Sequence, residues 1–191
     1  LPYEYVPLHL IKDGGGQNTA QFKALNPAGL IPVLIDDGHT LTQSLAIIEY
    51  LEETHPQPPL LPSDPFERAY VRAIALAIAC EIHPLNNLRV LKYVKNTLNA
   101  GEEGKDTWYR HWCKSGLEAV EAQVLKHRKA GRFCLGDAPT MADACLVPQW
   151  ANALRFNTDV SGCPTLERIV ANCQQLEAFA NAAPGKQPDA E

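Results

Sequence analysis

The sequence predicts an α+β chain in which a short α/β unit is followed by an all-helical one. Three observations carry that prediction. Residues 26–50, NPAGLIPVLIDDGHTLTQSLAIIEY, set a strand, a hairpin and a helix start in immediate succession. The stretch 56–65, PQPPLLPSDP, holds five prolines, a density that blocks both helix and central strand and therefore reads as an interdomain linker. Behind it, apolar residues recur at helical period with few β-branched runs.

Within the first unit, Ile31-Pro32 is the informative pair. An X-Pro bond is held cis at modest cost, and a cis bond beside a strand edge leaves the Ile31 amide and carbonyl free for an incoming peptide backbone. Asp36-Asp37-Gly38 supplies the hairpin turn. Gln43-Ser44 then precedes the helical run Leu45, Ile48, Leu51, putting a hydroxyl and free N–H groups where a helix N-terminus attracts a carboxylate. An ordinary hairpin followed by a helix explains the same pattern, so the residues alone leave both readings open. His9, within Leu8-His9-Leu10, reads as a strand residue rather than a base.

In the second unit, Asp64 caps the first long helix, with Pro65 at its first position and Glu67 placed to complete a capping box. The pattern continues through Ile82 until His83-Pro84 predicts a kink or break, and a helix resumes at Leu85 and runs to about Leu98. Residues 101–106, GEEGKD, read as a loop, after which Thr107 opens a helix ended by Gly131. Thr140-Met141-Ala142-Asp143 is a second capping box. The last helix spans Thr165 to Ala180, with Leu166, Ile169, Val170, Cys173, Leu176 and Phe179 on one broad face.

Composition narrows the function. The 191 residues are 46% hydrophobic with a net charge of −5, a globular balance without the basic stripe that tracks phosphates, so nucleic acid is not an expected partner. The longest nearly apolar stretch, Ala73 to Cys80, is far short of the ~20 residues that span a bilayer, so no membrane association is expected. Six cysteines, at 80, 113, 134, 145, 163 and 173, form no C-x-x-C pair and read as reduced packing residues, which points to the cytoplasm. The six histidines form no H-x-x-x-H group, so no metal site is expected.

The order Asn-Pro, Ile-Pro, Asp-Gly, Gln-Ser, Ile-Ile-Glu-Tyr-Leu is similar to the glutathione-binding half of the glutathione transferases, and most closely resembles the zeta class. Members of that class are maleylacetoacetate isomerases and the related maleylpyruvate isomerases, and the likeness runs from Tyr3-Glu4-Tyr5 to Gln187-Pro188-Asp189. The resemblance implies a thioredoxin-like, glutathione-binding domain over residues 1–55, the linker over 56–65 and an all-helical substrate-binding domain over 66–191. In this family a first strand and helix come before the segment that starts here at Leu1, and their junction carries a Ser-rich motif whose hydroxyl stabilises the glutathione thiolate. No residue of the sequence is assigned that role; a longer chain is expected, with a naturally shortened, inactive protein as the alternative.

By resemblance, Ile31, with Pro32, pairs with the cysteinyl backbone of glutathione, Gln43 and Ser44 bind its γ-glutamyl end, and Gln17, after Gly14-Gly15-Gly16, lies near its glycine end. A solvated loop glutamine explains Gln17 equally well. His83 and Asn87 match further family contacts to glutathione; four residues apart, they read as sharing one helical face. A helix-break histidine is the alternative for His83. Arg155, in Ala153-Leu154-Arg155-Phe156 at the end of the helix that starts at Thr140, occupies the family's substrate-arginine position. Arg89 matches a second arginine of the maleylpyruvate-type enzymes and sits about 200° around a helix from Asn87. A planar guanidinium suits a dicarboxylate substrate, although a surface ion pair or a helix C-terminal cation is the alternative for each.

The activity implied is glutathione-dependent cis–trans isomerisation of maleylacetoacetate to fumarylacetoacetate in tyrosine and phenylalanine catabolism. A thiolate adds to the cis double bond, rotation follows, and elimination returns glutathione unchanged. The same resemblance leaves open a maleylpyruvate isomerase, a zeta-type transferase or dehalogenase, and a non-catalytic scaffold. It also implies a homodimer, with one subunit's N-terminal domain against the other's helical domain.

Overall fold

A computed structural model describes residues 1–190, which divide into two compact units, residues 1–57 with 181–190 and residues 58–180. The expected boundaries put the C-terminal tail in the helical domain; here it groups with the first unit, where the Tyr5 hydroxyl donates to Asp189 Oδ1 at 2.9 Å. The proline-rich stretch is likewise divided. Its second part belongs to the helical unit, with Leu61 buried, the Leu60 carbonyl accepting the Met141 N–H at 2.9 Å and the Pro62 carbonyl accepting Arg68 Nε at 2.9 Å.

In the first unit, Thr19 caps α1 (Ala20–Leu25) by accepting the Phe22 N–H at 3.2 Å. Strands β1 (Val33–Asp36) and β2 (His39–Thr42) pair antiparallel, with Val33 opposite Thr42 and Asp36 opposite His39. Asp37 (φ 46°) and Gly38 (φ 77°) form the two-residue turn, both in the left-handed region that a tight hairpin requires. Helix α2 (Ser44–Thr54) follows, and its Tyr50 hydroxyl returns to Asp36 Oδ2 at 2.8 Å, which ties the helix to the hairpin. His9 is not in a strand: its Nδ1 accepts the N–H groups of Ile11 (3.1 Å) and Lys12 (2.8 Å), and so closes a turn.

The second unit is built around α6 (Met141–Arg155), whose Met141, Ala142, Asp143, Leu146, Gln149, Trp150 and Ala153 are buried. Helix α3 (Pro65–Leu76) starts as expected at Asp64, whose side chain accepts the Glu67 N–H at 2.9 Å. The Glu67 carboxylate takes Lys129 Nζ at 2.7 Å. Ahead of Pro84 the helix loosens into a π segment, Ala77–Ile82, with the His83 N–H reaching back five residues to Ile78. A 3₁₀ turn, Pro84–Asn86, and an extended Asn87 then separate it from α4 (Leu88–Lys92), which runs into a second π segment, Tyr93–Thr97.

Helix α5 (Gly101–His127) is longer than the sequence suggests, because residues 101–106 are helical rather than a loop. Only Gly101, at φ 67°, acts as a turn; Gly104 serves close packing, since a Cβ there would lie 2.6 Å from Ala100 Cβ. Glu102 pairs with both Lys95 and Lys105 in this first turn. Arg128, at φ 54°, ends α5 three residues before Gly131. Helix α7 (Pro164–Gln174) receives its cap from α5: Pro164 brings no N–H, and the next two amides, Thr165 and Leu166, donate to the buried Glu121 carboxylate at 3.0 and 2.9 Å. The single last helix of the sequence reading is interrupted at Gln175, and α8 (Glu177–Asn181) follows.

The contact between α5 and the π segment depends on Gly116, where a Cβ would lie 2.4 Å from Ile82 Cγ1. Ile82 is 1% exposed and has no room to retreat. Gly116→Ala is therefore expected to lower stability by about 1–2 kcal/mol, the overpacking exceeding the gain in helix propensity. Urea denaturation of the two proteins checks it.

Candidate functional site

In the first unit the loop before β1 is organised by Asn26, a buried residue to which the sequence reading gave no role. Its Nδ2 donates to the Leu30 carbonyl at 2.7 Å, its Oδ1 accepts the Ala28 N–H at 3.1 Å, and its carbonyl accepts the Gly29 N–H at 2.9 Å. Asn-Pro followed by Gly was the available signal for such a turn. Gly29 is required by its φ of 63° and by the Gln17 carbonyl, which would lie 3.1 Å from a Cβ. The loop delivers Ile31 to the surface, 48% exposed, with a cis bond to Pro32, as the sequence reading expected.

Gln43 and Ser44 are both exposed at the start of α2. Gln43 takes φ 72°, unusual outside glycine, and its side chain makes no cap bond to the helix. The first-turn amides of this eleven-residue helix are thus uncapped by a side chain, beside an exposed hydroxyl and an exposed amide. That donor set fits one carboxylate end of an extended tripeptide such as glutathione, and the exposed Ile31 backbone fits its centre. The Gln17 side chain is held within its own loop rather than solvated. Its Nε2 donates to the Leu10 carbonyl at 3.1 Å, and its Oε1 is buried without a partner among the described residues, so the side chain braces the Leu10 turn.

In the second unit, His83 and Asn87 do not share a helical face, because the 3₁₀ turn after Pro84 and the extended Asn87 (φ −65°, ψ 146°) break the helical spacing between them. Asn87 is the N-cap of α4, its Oδ1 accepting the Arg89 N–H at 3.1 Å. The 200° separation therefore does not apply: Asn87 lies outside the helix and is bonded to the backbone of Arg89. His83 is an exposed residue whose ring is nevertheless desolvated enough to lower its pKa, which favours neutral imidazole. The Arg89 side chain is on the exposed side of α4.

Arg155 ends α6, as expected, and is exposed, with its guanidinium carbon 5.8 Å from the centroid of the Phe156 ring. The helix that carries it is anchored at its other end by Asp143. This fully buried carboxylate accepts Thr140 N–H and Oγ1–H, both at 2.8 Å, and Cys134 N–H at 2.8 Å.

Five of the chain's six thiols are poorly placed for nucleophilic chemistry. All six are free, and burial pushes Cys145 and Cys163 up to about 11 and Cys173 up to about 12, with Cys113 and Cys134 also raised. Cys80 is the exposed one. No more than one thiol per chain is expected to react with a chromogenic disulfide in the native state, against six in denaturant. Among the described residues, no group of three or more His, Cys, Asp or Glu is placed to hold a metal ion. Among the same residues, no helix is long and apolar enough to cross a membrane.

Residues 1–59 match the family model of the glutathione S-transferase N-terminal domain, the thioredoxin-like unit of that fold. Over 190 residues the chain is 51% identical to a probable maleylacetoacetate isomerase of Vibrio cholerae, covering 100% of this chain and 87% of the relative. The holo structure of a maleylpyruvate isomerase, described as a bacterial zeta-class glutathione S-transferase, superimposes with a TM-score of 0.96 at 44% identity, covering 100% of this chain and 89% of that one. A maleylacetoacetate isomerase of Methylobacterium extorquens AM1, solved with bound malonate and glutathione, gives a TM-score of 0.90 at 40% identity, over 94% of this chain and 84% of that one. With whole-chain identity at this level and the same fold, the chain belongs to the zeta-class glutathione transferases, the family of the maleylacetoacetate isomerases.

Proposed function

We propose that this protein is a glutathione-dependent isomerase that converts maleylacetoacetate to fumarylacetoacetate. The observation that carries the reading is the 51% identity, along the whole chain, to a protein named as a probable maleylacetoacetate isomerase. Bound glutathione would supply the thiolate that adds reversibly to the cis double bond and is returned unchanged. The protein's residues bind and orient. Ile31 offers its backbone to the cysteinyl unit, while Gln43, Ser44 and the α2 amides receive the γ-glutamyl carboxylate. Gln17, held on Leu10, shapes the turn near the glycine end. His83, favoured neutral, and Asn87 supply further polar contacts to glutathione.

Arg155 and Arg89 are the cations we assign to the substrate's carboxylates, since a guanidinium is always charged and offers paired donors. The malonate bound in the Methylobacterium relative supports a dicarboxylate-type substrate. A second reading, maleylpyruvate as substrate, is favoured by the TM-score of 0.96 to a maleylpyruvate isomerase and by Arg89. We further read the protein as a cytoplasmic homodimer, a state that light scattering after gel filtration measures.

The test is isomerisation of maleylacetoacetate and of maleylpyruvate by the purified full-length protein, with and without glutathione. Turnover of maleylacetoacetate only when glutathione is present is the expected result. A higher kcat/KM on maleylpyruvate would favour the second reading, and glutathione-dependent turnover of neither would overturn both.

A further inference from the structure

The end of α6 is built more firmly than an exposed helix terminus requires. Past Phe156 (φ −96°, ψ 13°), Asn157 adopts the left-handed region at φ 54°. Its N–H donates to the Leu154 carbonyl at 3.0 Å, and the Thr158 N–H donates to the Ala153 carbonyl at 2.9 Å. The two bonds form a Schellman turn with Asn in the place glycine usually takes, and they hold the backbone of Phe156 in one geometry.

In that geometry the Phe156 ring stacks on Tyr109 of α5, with centroids 3.9 Å apart and an interplanar angle of 16°. Tyr109 is 3% exposed. Beside it, Gln149 of α6, equally buried, donates Nε2 to Cys113 Sγ at 3.5 Å. Gln149 also hydrogen-bonds the Tyr109 hydroxyl, whose pKa burial raises while the charge of Arg155 acts on it in the opposite direction. An exposed guanidinium, a half-buried ring and a buried phenol thus form consecutive layers from the surface into the core.

We infer that Phe156, backed by Tyr109, is a positioning residue that holds the Arg155 guanidinium over its ring, ready to receive a carboxylate of the substrate. This rests on the assignment of Arg155 made above. A long flexible side chain loses rotamer freedom when it binds, and a fixed aromatic face removes part of that loss beforehand. A guanidinium held over a ring keeps its edge donors available for a carboxylate, so positioning and binding do not compete.

The test compares steady-state isomerisation by wild type, Phe156→Leu, Phe156→Tyr, Arg155→Ala and the Phe156→Leu/Arg155→Ala double variant, alongside glutathione affinity and Tm. Phe156→Leu is expected to raise the substrate KM about threefold to tenfold, the range of a partly exposed cation–π contact. Its kcat and glutathione affinity should remain within about twofold of wild type, and Phe156→Tyr, which keeps the ring face, should behave as wild type. In the Arg155→Ala background, Phe156→Leu should change nothing further.

An unchanged KM in Phe156→Leu, with Arg155→Ala still impaired, would overturn the positioning role and leave the assignment of Arg155 standing. An equal KM increase in both backgrounds would overturn it too, because the ring would then act through general packing. Normal isomerisation by Arg155→Ala would remove the assignment of Arg155 itself, and the inference with it.

Discussion

Replacing Arg155 with alanine is expected to lower kcat/KM for the isomerised substrate by about 100-fold while leaving glutathione affinity within about twofold, because a hydrogen bond between charged groups contributes ~1.5–3 kcal/mol. The separation of the two effects follows from the proposed assignment. Arg155, at the end of α6, is assigned to the substrate, whereas Ile31, Gln43 and Ser44 of the first unit and His83 and Asn87 of the helical unit are assigned to glutathione. Steady-state kinetics on the variant, with glutathione binding followed by the quenching of tryptophan fluorescence, measures both. Equal loss of turnover and of glutathione binding would sink the assignment of Arg155 to the substrate alone. Arg155→Lys discriminates further: a point charge in place of a planar fork should recover only part of the loss.

Asp143→Ala is expected to destabilise the protein by about 4 kcal/mol, since it leaves three buried donors unpaired at ~1–3 kcal/mol each, with some relaxation. Those donors are Thr140 N–H, Thr140 Oγ1–H and Cys134 N–H, and the carboxylate that receives them is fully buried. One of the three comes from outside the capping box. A surface cap of this kind contributes about 1 kcal/mol, so the excess measures what the Cys134 bond and burial add. Urea denaturation checks the size. A loss of only about 1 kcal/mol would mean that Asp143 acts as a simple cap. Asp143→Asn, able to accept at one oxygen only, should fall between wild type and alanine.

The features readable in the sequence are those in which neighbouring residues decide the geometry. Asp37-Gly38 specifies the two-residue turn because its central positions need positive φ, and the structure forms that turn. Asp64-Pro65 and Thr140-Met141-Ala142-Asp143 mark helix starts because side chain and amide are three residues apart, and both caps form. Pro84 predicts the break because a missing N–H is a covalent fact. The misreadings share the opposite cause. Gly104 looks like a loop residue, but it lies inside α5, where its lack of a side chain leaves room for Ala100 at the helix N-cap. Asn87 seemed to lie one turn from His83, but the break at Pro84 removes the period on which that argument depends. Gln17 reads equally as a solvated loop residue, but its side chain turns back onto the Leu10 carbonyl.

What the sequence by itself determined is the α+β division, the turn, the caps, the cis-capable Ile31-Pro32 pair and the place of Arg155 at the end of a helix, since each depends on residues a few positions apart. Only the tertiary structure decided the rest. Glu121 caps a helix 44 residues away, Tyr109 supports Phe156 across two helices, and Cys134 completes the coordination of Asp143. The physical reason is that a buried donor or ring must be satisfied by whatever packing brings beside it. That partner is chosen by the fold of the whole unit, which no local pattern of residues encodes.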